Sequence, residues 1–124
     1  MQKQASGGSI VSTSSAAGLI GIPGASGYNS AKHGVIGLSK TIALEYASKN
    51  IRVNAVCPGF IETPMLERVT DASIKIREQL IKMVPMKRVA KPSEIADAVA
   101  WLLSERSSYV TGVALPVDGG WIAQ

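Results

Sequence analysis

Cysteine and histidine are almost missing from this chain: Cys57 and His33 are the sole examples in 124 residues. One cysteine excludes an internal disulfide and suits a reducing compartment, so the expected localisation is cytoplasmic. One histidine and one cysteine make no zinc spacing, and no metal is expected; His33 reads as a helix residue beside Lys32. Aromatics are only 5% of the chain, and the net charge is a modest +4. The basic residues are scattered: Arg52, Lys82, Lys87, Arg88 and Lys91 form no arginine-rich block with interleaved aromatics. That argues against nucleic acid as a partner and makes these residues solvated surface. No apolar run approaches the roughly 18–20 residues of a membrane span, so no membrane partner is expected. The opening MQKQASGG has no apolar core of a signal peptide.

What is present fits a globular protein. Apolar residues at 46% and charged residues at 18% are ordinary, and 124 residues suffice for one domain with its own core. Residues 8–14 read as a strand centred on Ile10 and Val11, followed by a loop marked by Gly18, Gly21, Pro23, Gly24 and Gly27. A helix is expected from about Ser26, with Val35, Leu38, Ile42 and Tyr46 as its buried stripe and Asn50 as a left-handed stop. Residues 51–57 read as a buried strand ended by Pro58 and Gly59. Pro64 opens a short helix; Ile74, Ile76, Leu80, Ile81 and Val84 mark another, closed by Pro85. Pro92 suits the first position of a further helix, with Glu94 in its first turn and Ile95, Val99, Leu102 and Leu103 as its stripe. Residues 113–117 read as a last strand. This alternation predicts an α/β fold with a parallel sheet, although three strands are fewer than the usual five or so.

The chemistry-bearing stretch is 15–32, SAAGLIGIPGASGYNSAK. Tyr28 and Lys32 are four residues apart, one helical turn, on one face. A free phenol is a poor acid or base at neutral pH, its pKa lying near ~10. A nearby ammonium favours the phenolate, which equips a tyrosine to exchange a proton with an alcohol or carbonyl oxygen. Ser15, thirteen residues upstream of Tyr28, offers a hydroxyl to hold the same oxygen. Alcohol–carbonyl interconversion also needs a borrowed hydride carrier. Alone, a tyrosine and a lysine at this spacing are equally an aromatic at a helix edge beside a solvated lysine.

Taken together these motifs resemble the short-chain dehydrogenase/reductase family. GSIVSTSSAAG resembles its fifth strand with the catalytic serine, Ser15 being chosen over Ser14 by the spacing to Tyr28. YNSAKHGVIGLSKTIALE resembles the active-site helix, with Tyr28 as proton donor or acceptor and Lys32 as its partner, which also holds the nicotinamide ribose. IRVNAVCPGFIETPM resembles the sixth strand and its loop, and the likeness would put Pro58, Gly59, Ile61 and Thr63 along the nicotinamide. SSYVTGVALPVDGG resembles the final strand, so the likeness covers nearly the whole chain in order. It implies a hydride transfer between NAD or NADP and a small alcohol or ketone, with Ser15, Tyr28 and Lys32 as catalytic residues.

The resemblance is to the C-terminal half of a doubly wound Rossmann-type sheet, residues 1–124 forming one partial domain. The Gly-rich turn that would seat a pyrophosphate, the residue choosing NAD or NADP, the Asn-Ala-Gly motif and the helical catalytic asparagine have no match. MQKQ resembles the end of the helix before the fifth strand, which makes a truncated start an expectation. A half-sheet exposes a strand edge and an apolar face, so a homo-oligomer is expected. The alternative to an oxidoreductase is a non-catalytic fragment serving only as an oligomerising α/β domain. A loop at 62–86 with Met65, Leu66, Val69 and Ile74 would be an apolar lid over the substrate, or ordinary packing.

Overall fold

The alternation of elements closes into one three-stranded parallel sheet, seen in a computed structural model that describes residues 1, 4, 6–70 and 74–123. Strands β1 (Gly8–Thr13), β2 (Ile51–Pro58) and β3 (Ala114–Val117) pair in that order. Helix α1 (Ser26–Tyr46) links β1 to β2, while α2 (Pro64–Thr70), α3 (Ile74–Met83) and α4 (Pro92–Leu103) lie between β2 and β3. Pro64 and Pro92 open their helices as expected. Asn50 stops the first helical segment in the left-handed region at φ 56°, and its carbonyl accepts from Gly8 N–H at 3.0 Å. The helix-end reading of MQKQ includes Gln2 and Lys3, and the lid reading includes the Val69 side chain; these lie outside the described residues. Among the described residues no helix is long and apolar enough to cross a membrane.

Strand β2 is the core. From Val53 to Cys57 it is buried throughout, because helices cover both faces of a parallel sheet. Side chains alternate, so Ile51 and Val53 pack with Ala43 of α1, and Ala55 and Cys57 pack with Ile36 of the same helix. Arg52 and Asn54 point to the other face, where α4 and the segment after it lie.

Three expectations about side-chain placement are corrected here, the first being Leu103, which is 47% exposed because the adjacent Leu102 takes the buried position of that turn of α4. The stripe of α1 is Ile36, Ser39 and Ala43, with Val35, Ile42 and Tyr46 half-buried beside it, whereas Leu38 is 62% exposed. The sheet is narrow, so one residue per turn reaches it, and Ser39 occupies that line by turning its hydroxyl to the Val35 carbonyl at 2.8 Å. Arg52 is not solvated surface. Its guanidinium donates to the carbonyls of Leu102 (2.9 Å), Val110 (3.1 Å) and Ser104 (3.1 Å). These include orphan acceptors at the C-terminal end of α4, where the helix dipole also favours a cation.

Asn54 is fully buried and used at both ends: Nδ2 donates to Val110 O at 2.9 Å and Oδ1 accepts from Val113 N–H at 3.1 Å. Together with Thr111 Oγ1, which accepts from Val53 N–H at 3.0 Å, it sets the approach of the chain to β3. Substituting Asn54→Ala leaves the Val113 N–H without its partner, while the Val110 carbonyl keeps its bond from Arg52. The expected cost is about 1–3 kcal/mol for the one unsatisfied donor, read as a lower urea midpoint at unchanged slope. A midpoint within error of the wild-type value would show that the clamp contributes nothing.

Candidate functional site

Parallel strands end at the same side of a sheet, so the segments leaving β1, β2 and β3 are neighbours. Ligands of open α/β sheets bind outside these carboxyl ends. Because β2 is the middle strand, the 58–63 segment that leaves it lies between Ser14–Ser15 and Asp118–Gly119. Ser15, Pro58, Gly59, Ile61 and Thr63 therefore fall at this one edge, with Tyr28 and Lys32 on the first turns of α1.

Ser15 has an extended backbone (φ −165°, ψ 160°) and caps a single 3-10 turn, Ala16–Gly18, its Oγ accepting from Ala17 N–H at 3.2 Å. Its own O–H remains a donor, and the residue is half-buried. The loop that follows is tied to α1 by Asn29, whose Nδ2 donates to the Ile20 carbonyl at 2.8 Å. Tyr28, in the first turn of α1, is 48% exposed and faces no core. Lys32 is half-buried; its Nζ lies 5.6 Å from the Tyr28 ring centroid and donates to the Thr13 carbonyl at 3.4 Å. The ammonium thus bridges the tyrosine and the end of β1, two residues before Ser15. One long bond leaves donors of the ammonium for a ligand.

The β2 exit is shaped by close backbone approach. A side chain at Gly59 would bring its Cβ to 2.8 Å from Asp118 Cα, so only glycine lets the two strand ends meet. Asp118 itself closes a turn, its carboxylate accepting from Gly120 N–H and Ile122 N–H at 2.9 Å each. Phe60 stacks on Trp121 with ring centroids 4.5 Å apart. Ile61 pairs with Ala90 in an isolated parallel bridge, with Glu62 N–H donating to Ala90 O at 2.9 Å and Ala90 N–H to Phe60 O at 3.0 Å. Thr63 opens α2: its hydroxyl donates to Ile61 O at 3.2 Å and accepts from Leu66 N–H at 3.4 Å. Pro58, Gly59, Ile61 and Thr63 are accordingly held on one rigid exit rather than on a free loop.

Sequence reasoning missed what holds the base of the 62–86 segment. Its two ends are zipped by the Ile61–Ala90 bridge, and its return is pinned by Met86 N–H donating to Gly119 O at 3.2 Å. Beside the bridge, Arg88 binds Glu94 with both guanidinium nitrogens, at 2.7 and 2.6 Å, and Glu94 also accepts from Lys91 N–H at 2.8 Å. The signal was there in part, because an acid three residues into a helix reaches back to its cap. Phe60, Met86, Ala90 and Val117 line a cleft of about 110 Å³ with this ion pair at its side. Met65 and Ile74 of the expected lid are 69% and 81% exposed.

A family model described as enoyl-(acyl carrier protein) reductase matches residues 1–122. The 3-oxoacyl-[acyl-carrier-protein] reductase FabG of Thermotoga maritima is 50% identical over 115 residues, which are 93% of this chain and 46% of that protein. Cyclohexanol dehydrogenase of an Acinetobacter species is 48% identical over 120 residues, covering 97% of this chain and 45% of the enzyme. Among solved structures, levodione reductase superposes with a TM-score of 0.93 at 44% identity, over 99% of this chain and 49% of its own. ElxO with NADP bound gives 0.91 at 39% identity, over 100% and 50%. The chain spans about half the length of the curated relatives it matches.

The clamp at the base of the 62–86 segment has a calculable pH signature. The Arg88 guanidinium first, and the Lys91 N–H second, hold the Glu94 carboxyl down to about 2 from an ordinary 4.5. A depressed carboxyl stabilises the fold above its unfolded value and loses that contribution as pH falls from about 4.5 toward about 2. Glu94→Gln should therefore lower the urea midpoint at pH 7, modestly because the pair is exposed. At pH 2, where the folded-state carboxyl is about half protonated, the gap between the two proteins should shrink markedly. A difference that persists unchanged at pH 2 would show that the carboxylate is not the stabilising group.

Proposed function

The chain belongs to the short-chain dehydrogenase/reductase family, and from that premise we propose that it carries the proton-transfer half of an NAD- or NADP-dependent oxidoreductase acting on a small alcohol or ketone. The observation that carries this reading is the Lys32 ammonium, set 5.6 Å from the Tyr28 ring and on the Thr13 carbonyl, at the strand end that Ser15 leaves. In this assignment the Ser15 hydroxyl donates to the substrate oxygen and holds it. Tyr28 gives that oxygen its phenolic proton in reduction and removes the proton in oxidation. Lys32, with its ammonium beside the Tyr28 ring, offers its remaining donors to ribose hydroxyls. Pro58, Gly59, Ile61 and Thr63 face the nicotinamide.

The residues present fit the nicotinamide end of such a cofactor. An ammonium, a phenol and the Thr63 hydroxyl stand at the carboxyl edge of the sheet, and Gly59 lets the backbone come close there. When bound, the nicotinamide supplies or accepts the hydride. Residues 1–124 correspond in this reading to the second half of a doubly wound domain.

The alternative, an oligomerising α/β fragment without catalysis, is favoured by a separate observation. Leu38 and Leu44 of α1 are 62% and 84% exposed, more apolar surface than a monomer's helix needs to leave open. A second copy of this chain is the proposed partner of that helix under either reading.

Titrating the chain with NADH and NADPH, followed by nicotinamide fluorescence, decides between them. Saturable binding supports the oxidoreductase reading, and Tyr28→Phe should then retain binding while turnover of a ketone falls by roughly 10²–10⁴-fold. No binding at millimolar cofactor would leave the non-catalytic reading. In sedimentation velocity a species larger than 13.0 kDa is expected, and a sharp monomer boundary at micromolar protein would remove the proposed oligomer.

A further inference from the structure

Ser14 immediately precedes the candidate hydroxyl but points the other way. It is 3% exposed, and its O–H donates to the main-chain carbonyl of Lys32 at 2.8 Å. A carbonyl inside a helix already accepts from the amide four residues on, so Ser14 takes up its second acceptor site. Gly18, at the end of the 3-10 turn that Ser15 caps, lies over this same bond. A Cβ there would come within 2.5 Å of Ser14 Oγ, 2.8 Å of the Lys32 carbonyl oxygen and 3.0 Å of Ile36 Cδ1. Ser14 N–H in turn donates to the Val56 carbonyl of β2 at 2.9 Å. The end of β1, the 3-10 turn, β2 and α1 therefore meet at one residue.

Two links join the 13–14 segment to Lys32, and they differ in quality. The Ser14 bond to the Lys32 carbonyl is short and buried; the Lys32 Nζ bond to the Thr13 carbonyl is 3.4 Å and exposed. A lysine side chain has four flexible carbons, so the backbone separation decides whether its ammonium reaches the end of β1. That separation is what the short bond and the Gly18 contact define. We propose that Ser14 and Gly18 form a positioning lock that sets where the Lys32 ammonium stands relative to Ser15 and Tyr28. The catalytic meaning of the lock rests on the proton-transfer reading above; its existence does not.

The test is competitive acylation of the whole chain with a lysine-selective reagent, quantified at each lysine by mass spectrometry. Lys40 and Lys49, on α1 and just after it, are internal references. Ser14→Ala removes the donor; Gly18→Ala keeps Ser14 and drives a methyl against the bond. Either should raise Lys32 labelling relative to Lys40 by roughly two- to ten-fold, the equilibrium worth of one net hydrogen bond, with the Lys49 to Lys40 ratio unchanged. A Lys32 to Lys40 ratio at the wild-type value in both variants overturns the proposal. So does a rise shared by Lys49, which marks general loosening of the helix. A parallel wild-type series with NADPH separates the two ideas. Shielding of Lys32 by NADPH supports the oxidoreductase reading, and its absence counts against that reading while the variant ratios still decide the lock.

Discussion

A parallel strand buried on both faces and paired along both edges can be satisfied only from its two ends, and β2 is such a strand. It lies between β1 and β3, with α1 on one face and α4 on the other. Its alternation decides everything placed against it. The residues facing α1 are Ile51, Val53, Ala55 and Cys57, apolar and graded to the approach of Ala43 and Ile36. Those facing α4 include Arg52 and Asn54, which a purely apolar interior would reject. They are tolerated because helix α4 and the segment after it end there, exposing carbonyls that need donors. The strand thus brings its own caps to the elements that cover it.

The same arrangement places the candidate site. Chain directions are fixed by parallel pairing, so the exits of all three strands share one edge. The exit of the best-anchored strand, β2, becomes the floor between the other two. Gly59 against Asp118 and the Ile61–Ala90 bridge make that floor stiff. Proton transfer requires groups held to a fraction of an ångström, and stiff strand ends provide this better than long loops do.

The element order, the helix starts at Pro64 and Pro92, the left-handed stop at Asn50 and the helical pairing of Tyr28 with Lys32 were all legible in the sequence. Each depends on local geometry: a fixed φ, a missing N–H, or a four-residue period. What escaped depends on the third dimension. Leu38 and Ile36 are equally apolar, and only the narrowness of the sheet decides which one it covers. Arg52 looks like one more scattered cation until α4 ends above it. Ser14 and Ser15 are adjacent and identical; the pleat sends one inward to Lys32 and leaves the other at the site. Asp118 reads as a strand terminator, and nothing local shows that Gly59 must pass beneath it.

The two edges of the three-stranded sheet are not equivalent. On β3 the exposed Pro116 has no N–H to offer a further strand, so that edge is closed by chemistry. On β1 the sequence GSIVST has neither proline nor charge, Ile10 is 38% exposed, and the outer edge has no strand partner among the described residues. Such an edge is a template for further pairing. The groups that would do the chemistry nevertheless depend little on it. Lys32 and Tyr28 stand on α1, which packs chiefly on β2; Ser15 is held to α1 through Ser14; and the 58–63 exit is braced by β3 and Ala90. The internal geometry of the Ser15, Tyr28 and Lys32 cluster is therefore set by contacts on the far side of the sheet from the β1 edge.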